Sequence, residues 1–143
     1  MDLAKYRNLF LEEATEHLAE ISRALLELEK DPSRSESLDL VFRMAHSIKG
    51  MAGSLDYASI TELAHALEDR MDGYRAAGRV EATQGLPLLF RGLEGLERMV
   101  QAVREIGESP AADPELLALL RGAPEKAARD PAESLPKKAP RRP

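Results

Sequence analysis

The sequence contains no cysteine and no tryptophan, and its 143 residues include only three phenylalanines and three tyrosines. Without cysteine, the chain can form neither a disulfide nor a thiolate metal site. The apolar runs are short and interrupted, so none reaches the roughly 20 residues that a transmembrane helix needs. Residues 1–5 show no signal-peptide pattern. These absences favour a cytoplasmic protein without membrane insertion.

Charge and proline are distributed unevenly along the chain. The formal net charge is −5, and the negative charge lies in residues 1–108. An acidic body with few aromatic side chains argues against binding to nucleic acid. Seven of the nine prolines lie at or after Pro110, and the sequence beyond Gly122 has no apolar periodicity. We therefore expect a folded domain over residues 1–121 and a flexible, disordered linker over residues 122–143.

Apolar residues recur every three or four positions in four long segments rich in leucine, alanine, glutamate and arginine, which predicts helices. The predicted helices cover about residues 3–30, 35–53, 59–77 and 83 or 86 to 106. A short fifth helix is expected with Asp113 as its N-cap and Pro114 in its first turn. Long helices joined by short connections pack as antiparallel neighbours. The expected fold class is therefore all-α, an up-down four-helix bundle with its core within about residues 2–106.

Individual residues predict where the helices begin and end. Asp2 is suited to cap the first helix. Ser59 and Glu62 have the spacing of a capping box at the start of the third helix, and Gly78 is suited to end it. Pro87 leaves the start of the fourth helix ambiguous, because proline fits a first turn better than a helix interior.

The segment 46–53 reads His-Ser-Ile-Lys-Gly-Met-Ala-Gly and lies in the second predicted helix. At about 100° per residue, His46 lies beside the apolar stripe, with Lys49 and Gly50 one turn away and Gly53 two turns away. Glycine in a helix interior costs about 1 kcal/mol relative to alanine. Two glycines beside a histidine therefore suggest that another molecule must come close to the imidazole ring.

The third predicted helix carries His65 and Glu68 one turn apart. If the second and third helices are antiparallel neighbours, Glu68 and His46 flank one seam. A carboxylate there can accept the N–H of one ring nitrogen and leave the other nitrogen as a nucleophile. Lys49 would supply positive charge to an incoming phosphoryl group.

Other interpretations of these residues stay open. His46 can be a polar residue at the edge of the core, His65 and Glu68 a surface pair, and the glycines a device for tight helix packing, as in a purely structural adaptor. Glu62 and His65 match the Glu-x-x-His spacing of di-iron bundles. The second copy of that motif is missing, and Lys49 opposes a cation, so we expect no metal site.

Residues 45–53 resemble the phosphoacceptor motif of histidine phosphotransfer (HPt) domains. Residues 63–69 resemble the partner helix of the chemotaxis histidine kinase subgroup, and residues 10–29 are similar to its first helix. The resemblance covers about residues 2–106. It implies that His46 accepts a phosphoryl group from ATP, through a separate kinase domain, and passes it to an aspartate of a response regulator.

The resemblance also implies roles for the neighbours of His46. Glu68 would orient and activate the ring, Lys49 and His65 would surround it, and Gly50 and Gly53 would let the partners approach. ATP and magnesium would be used by the separate kinase domain, with no cofactor bound here. The chain has no Gly-rich ATP-binding motif, so it is expected to be the phosphoryl-accepting piece of a larger kinase. The alternative is a stand-alone phosphorelay protein that shuttles phosphoryl groups between receiver domains.

Two features depart from the HPt pattern. Asp56 occupies a position that is often glycine in the family, so the turn between the second and third helices is expected to differ. Gly92 and Gly95 lie inside the fourth helix, which should be stiff.

Overall fold

The computed structural model describes residues 2–122, which form five α-helices and no strand. The helices are α1 (Leu3–Lys30), α2 (Ser35–Ser54), α3 (Ala58–Ala77), α4 (Gly85–Ile106) and α5 (Pro114–Leu120). This architecture confirms the predicted all-α class and the short fifth helix. Within the described residues, no helix is long and apolar enough to cross a bilayer. The predicted linker, from residue 123 onward, lies outside the described residues.

The four long helices form an up-down bundle in which α1 and α3 each pack on both α2 and α4. The backbones of α2 and α4 do not approach each other within residues 2–122, so these two helices lie diagonally across the bundle. The short helix α5 packs across α3 and α4. The core contains fully buried side chains from every long helix, among them Ile21, Ile48, Leu67 and Leu96. Burial of each such side chain contributes about 1.5–3 kcal/mol.

Three of the predicted helix ends are confirmed. The Asp2 carboxylate accepts a hydrogen bond from the backbone N–H of Lys5 at 3.2 Å, which caps α1. The Asp113 carboxylate accepts from the N–H of Glu115 at 3.0 Å, which caps α5. Gly78 ends α3 in the left-handed conformation, with a φ of 82°, which glycine adopts at no steric cost.

The predicted capping box of Ser59 and Glu62 is wrong. The helix α3 begins one residue before Ser59, and its N-cap, Tyr57, makes no side-chain capping bond. The turn after α2 sets this start, because the Tyr57 N–H donates to the Ala52 carbonyl at 2.9 Å. Glu62 instead forms an ion pair with Arg121, at 3.4 Å.

The start of α4 depends on Glu81, a residue that the sequence patterns did not single out. Its carboxylate accepts the N–H groups of Thr83 at 3.0 Å, Gln84 at 2.7 Å and Gly85 at 3.1 Å, and also the Thr83 hydroxyl at 2.8 Å. These hydrogen bonds lower the pKa of Glu81 to about 2, and the one from the Thr83 backbone has the largest effect. The helix therefore begins at Gly85, between the two predicted starts.

The glycines inside α4 have a packing reason. A Cβ atom on Gly95 would lie 2.9 Å from the Leu63 side chain of α3 and 3.5 Å from Leu116 of α5. A Cβ atom on Gly92 would lie 3.4 Å from Leu67 of α3. Because these two glycines have no side chain, α3 and α5 can pack closely against this side of α4.

The turn between α2 and α3 is left-handed at Asp56, where φ is 63°. Aspartate adopts this region more readily than most residues with a side chain. The turn thus has the conformation that would favour glycine, although the chain carries aspartate there.

Candidate functional site

The contact between α2 and α3 brings one buried carboxylate against two basic side chains. His46 Nδ1 of α2 lies 2.5 Å from Glu68 Oε2 of α3. The Lys49 ammonium, one turn further along α2, donates to the other oxygen, Oε1, at 2.5 Å. The Glu68 side chain is 9% exposed, whereas that of His46 is 64% exposed. The Glu68 carboxylate is therefore buried between α2 and α3, and the His46 ring lies at the protein surface.

The charge state of Glu68 determines which ring nitrogen of His46 carries the proton. Burial by itself raises the pKa of Glu68, but the hydrogen bonds from Lys49 and His46 outweigh burial and hold this pKa below its ordinary value. An ionised carboxylate can only accept hydrogen bonds, so His46 Nδ1 carries the proton and donates it. In the neutral ring, the lone pair is then on Nε2, which faces away from Glu68. This is the arrangement of an imidazole prepared as a nucleophile.

Lys49 supplies the compensating charge for this buried carboxylate. Its side chain is 27% exposed, so the ammonium is partly shielded from water and interacts more strongly than a free surface charge. Lys49 and His46 lie on one face of α2, three residues apart. Positive charge therefore lies beside the His46 ring.

His65 lies near this group but is not hydrogen-bonded to the His46 ring in the part of the chain that the structure describes. Its Nε2 lies 3.5 Å from the Asp69 carboxylate, and its side chain is 55% exposed. Polar atoms of His65, Glu68 and Asp69 lie within 4.8 Å of one another, a spacing that a metal ion could use. Both oxygens of Glu68 already accept hydrogen bonds, from His46 and from Lys49. In this structure Glu68 is therefore part of an ion-pair network.

The two glycines of the predicted motif leave the surface of α2 open. A Cβ atom on Gly50 would meet no atom within 4 Å, and one on Gly53 would meet only Thr61 Oγ1, at 3.8 Å. Close helix packing therefore does not explain either glycine. Their effect is to keep the surface beside His46 free of side chains.

The structure adds contacts around His46, and around the residues beside it, that the sequence patterns did not identify. The Phe42 ring is nearly parallel to the His46 ring, with centroids 6.5 Å apart, and the Arg75 guanidinium lies over Phe42. On the other side of α2, Ser47 Oγ lies 3.1 Å from His17 Nε2 of α1. Because Phe42 lies one turn before His46 on the same helix, the contact between their rings could have been predicted from the sequence. Arg75 and His17 are on other helices, and no local pattern indicates them.

Fold and site together define a helical bundle that presents one oriented histidine at its surface. The sequence profile of the Hpt domain family matches residues 5–106. The chain belongs to the Hpt domain family.

Relatives and solved structures agree with this family assignment. The chain is 34% identical over 103 residues to the chemotaxis protein CheA of Halobacterium salinarum and 36% identical over 108 residues to CheA of Bacillus subtilis. These alignments cover 72% and 76% of the chain, but only 15% and 16% of the two relatives. The chain thus spans about a sixth of their length.

Two solved domains match over nearly their whole length. The CheA phosphotransferase domain from Thermotoga maritima is 33% identical, with a TM-score of 0.66, over 73% of this chain and 98% of that domain. A histidine phosphotransfer domain of CheA, solved in solution, is 28% identical, with a TM-score of 0.73, over 85% of this chain and 95% of that domain.

Proposed function

We propose that this chain is the phosphoacceptor domain of a chemotaxis-type histidine kinase. Nε2 of His46 accepts the phosphoryl group of ATP, bound to a separate kinase domain, and then passes it to an aspartate of a response regulator receiver domain. The observation that carries this proposal is the hydrogen bond from His46 Nδ1 to Glu68. It leaves Nε2 as the free nucleophile of an exposed ring.

The transfer changes the charge of the imidazole ring. The Nε2 lone pair forms a bond to the γ-phosphorus, the bond from that phosphorus to the bridging oxygen breaks, and ADP leaves with the electron pair. The ring keeps its proton on Nδ1 and becomes a cation, which the Glu68 carboxylate stabilises. Lys49 interacts favourably with the phosphoryl oxygens. In the second transfer, an aspartate oxygen attacks the phosphorus and the electron pair of the N–P bond returns to Nε2.

The surroundings of His46 support two successive partners. The open surface at Gly50 and Gly53 allows the kinase domain and the receiver domain to approach the same ring in turn. His65 lies close to Glu68 on α3, and its side chain is 55% exposed. ATP and magnesium are bound by the kinase domain in this proposal, and the chain itself binds neither. The proposed location is the cytoplasm, without nucleic acid partners.

Phosphorylation with labelled ATP and the ATP-binding domain of a chemotaxis-type kinase tests the proposal. The label should be acid-labile and alkali-stable, as expected of a phosphoramidate bond, and His46→Gln should abolish it. The chain has two other histidines. His17→Gln is the matched control that should keep the label in full, and His65→Gln should still be labelled, because His65 is a neighbour of the acceptor and not the acceptor itself. Label that persists in His46→Gln would show that the wrong histidine has been assigned.

The stand-alone phosphorelay role is less favoured, because the relatives are chemotaxis proteins of which this chain matches only a small part. A direct comparison of donors separates the two roles. The kinase domain with ATP should load His46 faster than a phosphorylated receiver domain does. The opposite order would favour the phosphorelay role.

A further inference from the structure

We propose that Phe42 is a positioning residue for phosphoryl transfer at His46, and that Arg75 holds Phe42 in place. This inference rests on the proposed function. Phe42 lies one turn before His46 on α2. The planes of the two rings differ by only 12°, and their centroids are 6.5 Å apart. This distance is within the range over which aromatic rings attract each other in an offset parallel arrangement.

Phe42 is itself fixed by a residue of the neighbouring helix. The guanidinium carbon of Arg75, on α3, lies 4.2 Å from the centre of the Phe42 ring, which is a cation–π contact. Arg75 Nε donates to the Asp39 carboxylate at 2.9 Å, and Arg75 also lies 3.7 Å from Asp72. Two carboxylates therefore hold the guanidinium over the phenyl ring. Rotation of Phe42 away from His46 would break this contact.

The packing of Phe42 constrains a motion that Glu68 alone leaves free. One hydrogen bond at Nδ1 fixes a point of the imidazole, but the ring can still tilt about that point. A parallel ring beside it restricts the tilt and therefore the direction of the Nε2 lone pair. Phosphoryl transfer depends on in-line approach of the attacking and leaving atoms. Glu68 and Arg75 are seven residues apart on one face of α3, so one helix sets both constraints.

Loading of His46 by phosphoramidate, a small donor that needs no docking surface, tests the role of Phe42. The Nε2 lone pair forms the new N–P bond, the P–N bond of phosphoramidate breaks, and ammonia leaves with its electrons. Phe42→Leu should slow loading by about threefold to tenfold, as expected from the loss of one aromatic pair. Phe42→Tyr, which keeps the ring, should stay within about twofold of the unaltered chain.

Phe90→Leu is the matched control, because Phe90 is also partly buried and lies on α4, diagonally across from α2. It should leave loading unchanged. Nitrogen-15 spectra of histidine-labelled protein supply a second measurement. In Phe42→Leu the Nδ1–H signal of His46 should persist while the ring signals shift and broaden. Arg75→Gln should change the same signals in the same direction.

The outcomes separate this inference from the proposed function. If the unaltered chain takes no phosphoryl group from phosphoramidate and none from the kinase domain, the proposed function fails. If the unaltered chain is loaded and Phe42→Leu is loaded equally fast with unchanged ring signals, only the positioning role fails. Equal slowing in Phe42→Tyr and Phe42→Leu would also overturn it, because the ring would then not be the cause.

Discussion

Glu68 serves two purposes with one side chain. Its carboxylate orients His46 through one oxygen and is neutralised by Lys49 through the other. A buried charge is costly unless it is paired and fully hydrogen-bonded, and removal of one partner leaves the other uncompensated. The orientation of the imidazole and the stability of the α2–α3 contact therefore depend on the same residue.

Glu68→Gln is expected to slow loading of His46 and to change how stability depends on pH. The folded state lowers the pKa of Glu68 below its ordinary value of 4.5. The stabilisation from the charged form is therefore complete above about pH 4.5 and is lost as the pH falls through the folded pKa. Thermal unfolding should show a larger difference between the unaltered chain and the variant at pH 7 than at pH 3.

Glu12→Gln, which alters an exposed carboxylate on α1, is the control for this measurement. It should show no such change in the difference between the two pH values. A Glu68→Gln difference that is equal at pH 3 and pH 7 would contradict the assigned charge state of the carboxylate.

Among the helices, α4 depends most on the absence of side chains. It begins at Gly85, where a Cβ atom would lie 2.6 Å from Val80 Cγ1 and 3.0 Å from the Tyr74 hydroxyl. Val80 is fully buried and Tyr74 nearly so, which leaves little room for either to move. A side chain at Gly85 would therefore force Tyr74 of α3 or Val80 of the following connection to shift.

Gly85→Ala is expected to destabilise the bundle by about 1–3 kcal/mol, the usual cost of an overpacked core. Gly73→Ala is the matched control, because a Cβ atom there meets nothing within 4 Å on the exposed face of α3. It should stabilise the bundle by about 0.5–1 kcal/mol through helix propensity. Denaturant unfolding of both variants measures whether each substitution lowers or raises the free energy of unfolding. If Gly85→Ala stabilised the bundle, Val80 and Tyr74 would have moved aside at little cost, which would contradict the prediction.

For the molecule as a whole, the expected extent of the folded domain can be tested by truncation. A chain that ends after Gly122 should keep the unfolding temperature of the full chain and the same rate of His46 loading. A chain that ends after Ile106 loses α5, whose Leu116 and Leu120 are buried, and should unfold at a lower temperature. A large loss of stability in the first truncation would contradict the predicted boundary near residue 121.

Local periodicity was sufficient to predict the number and order of the helices, because apolar spacing and end signals act within a few residues. The proximity of His46 and Glu68 followed from the short connection between α2 and α3. The Arg75–Asp39 pair was not predictable, because it depends on how two helices are rotated against each other. The capping box at Ser59 was mispredicted because the turn after α2 set the start of α3 instead of the local motif.

The hydrogen bonds of the site also have a consequence for chain entropy. They join residues that are 22 and 19 positions apart in a single helical hairpin. The contact between Arg104 and Thr15, which joins α4 to α1, spans 89 positions. By the logarithmic dependence of loop closure on length, closing the 22-residue loop costs about 1.2 kcal/mol less than closing the 89-residue loop. The side chains proposed to carry the chemistry are therefore brought together by one of the less demanding closures in the bundle.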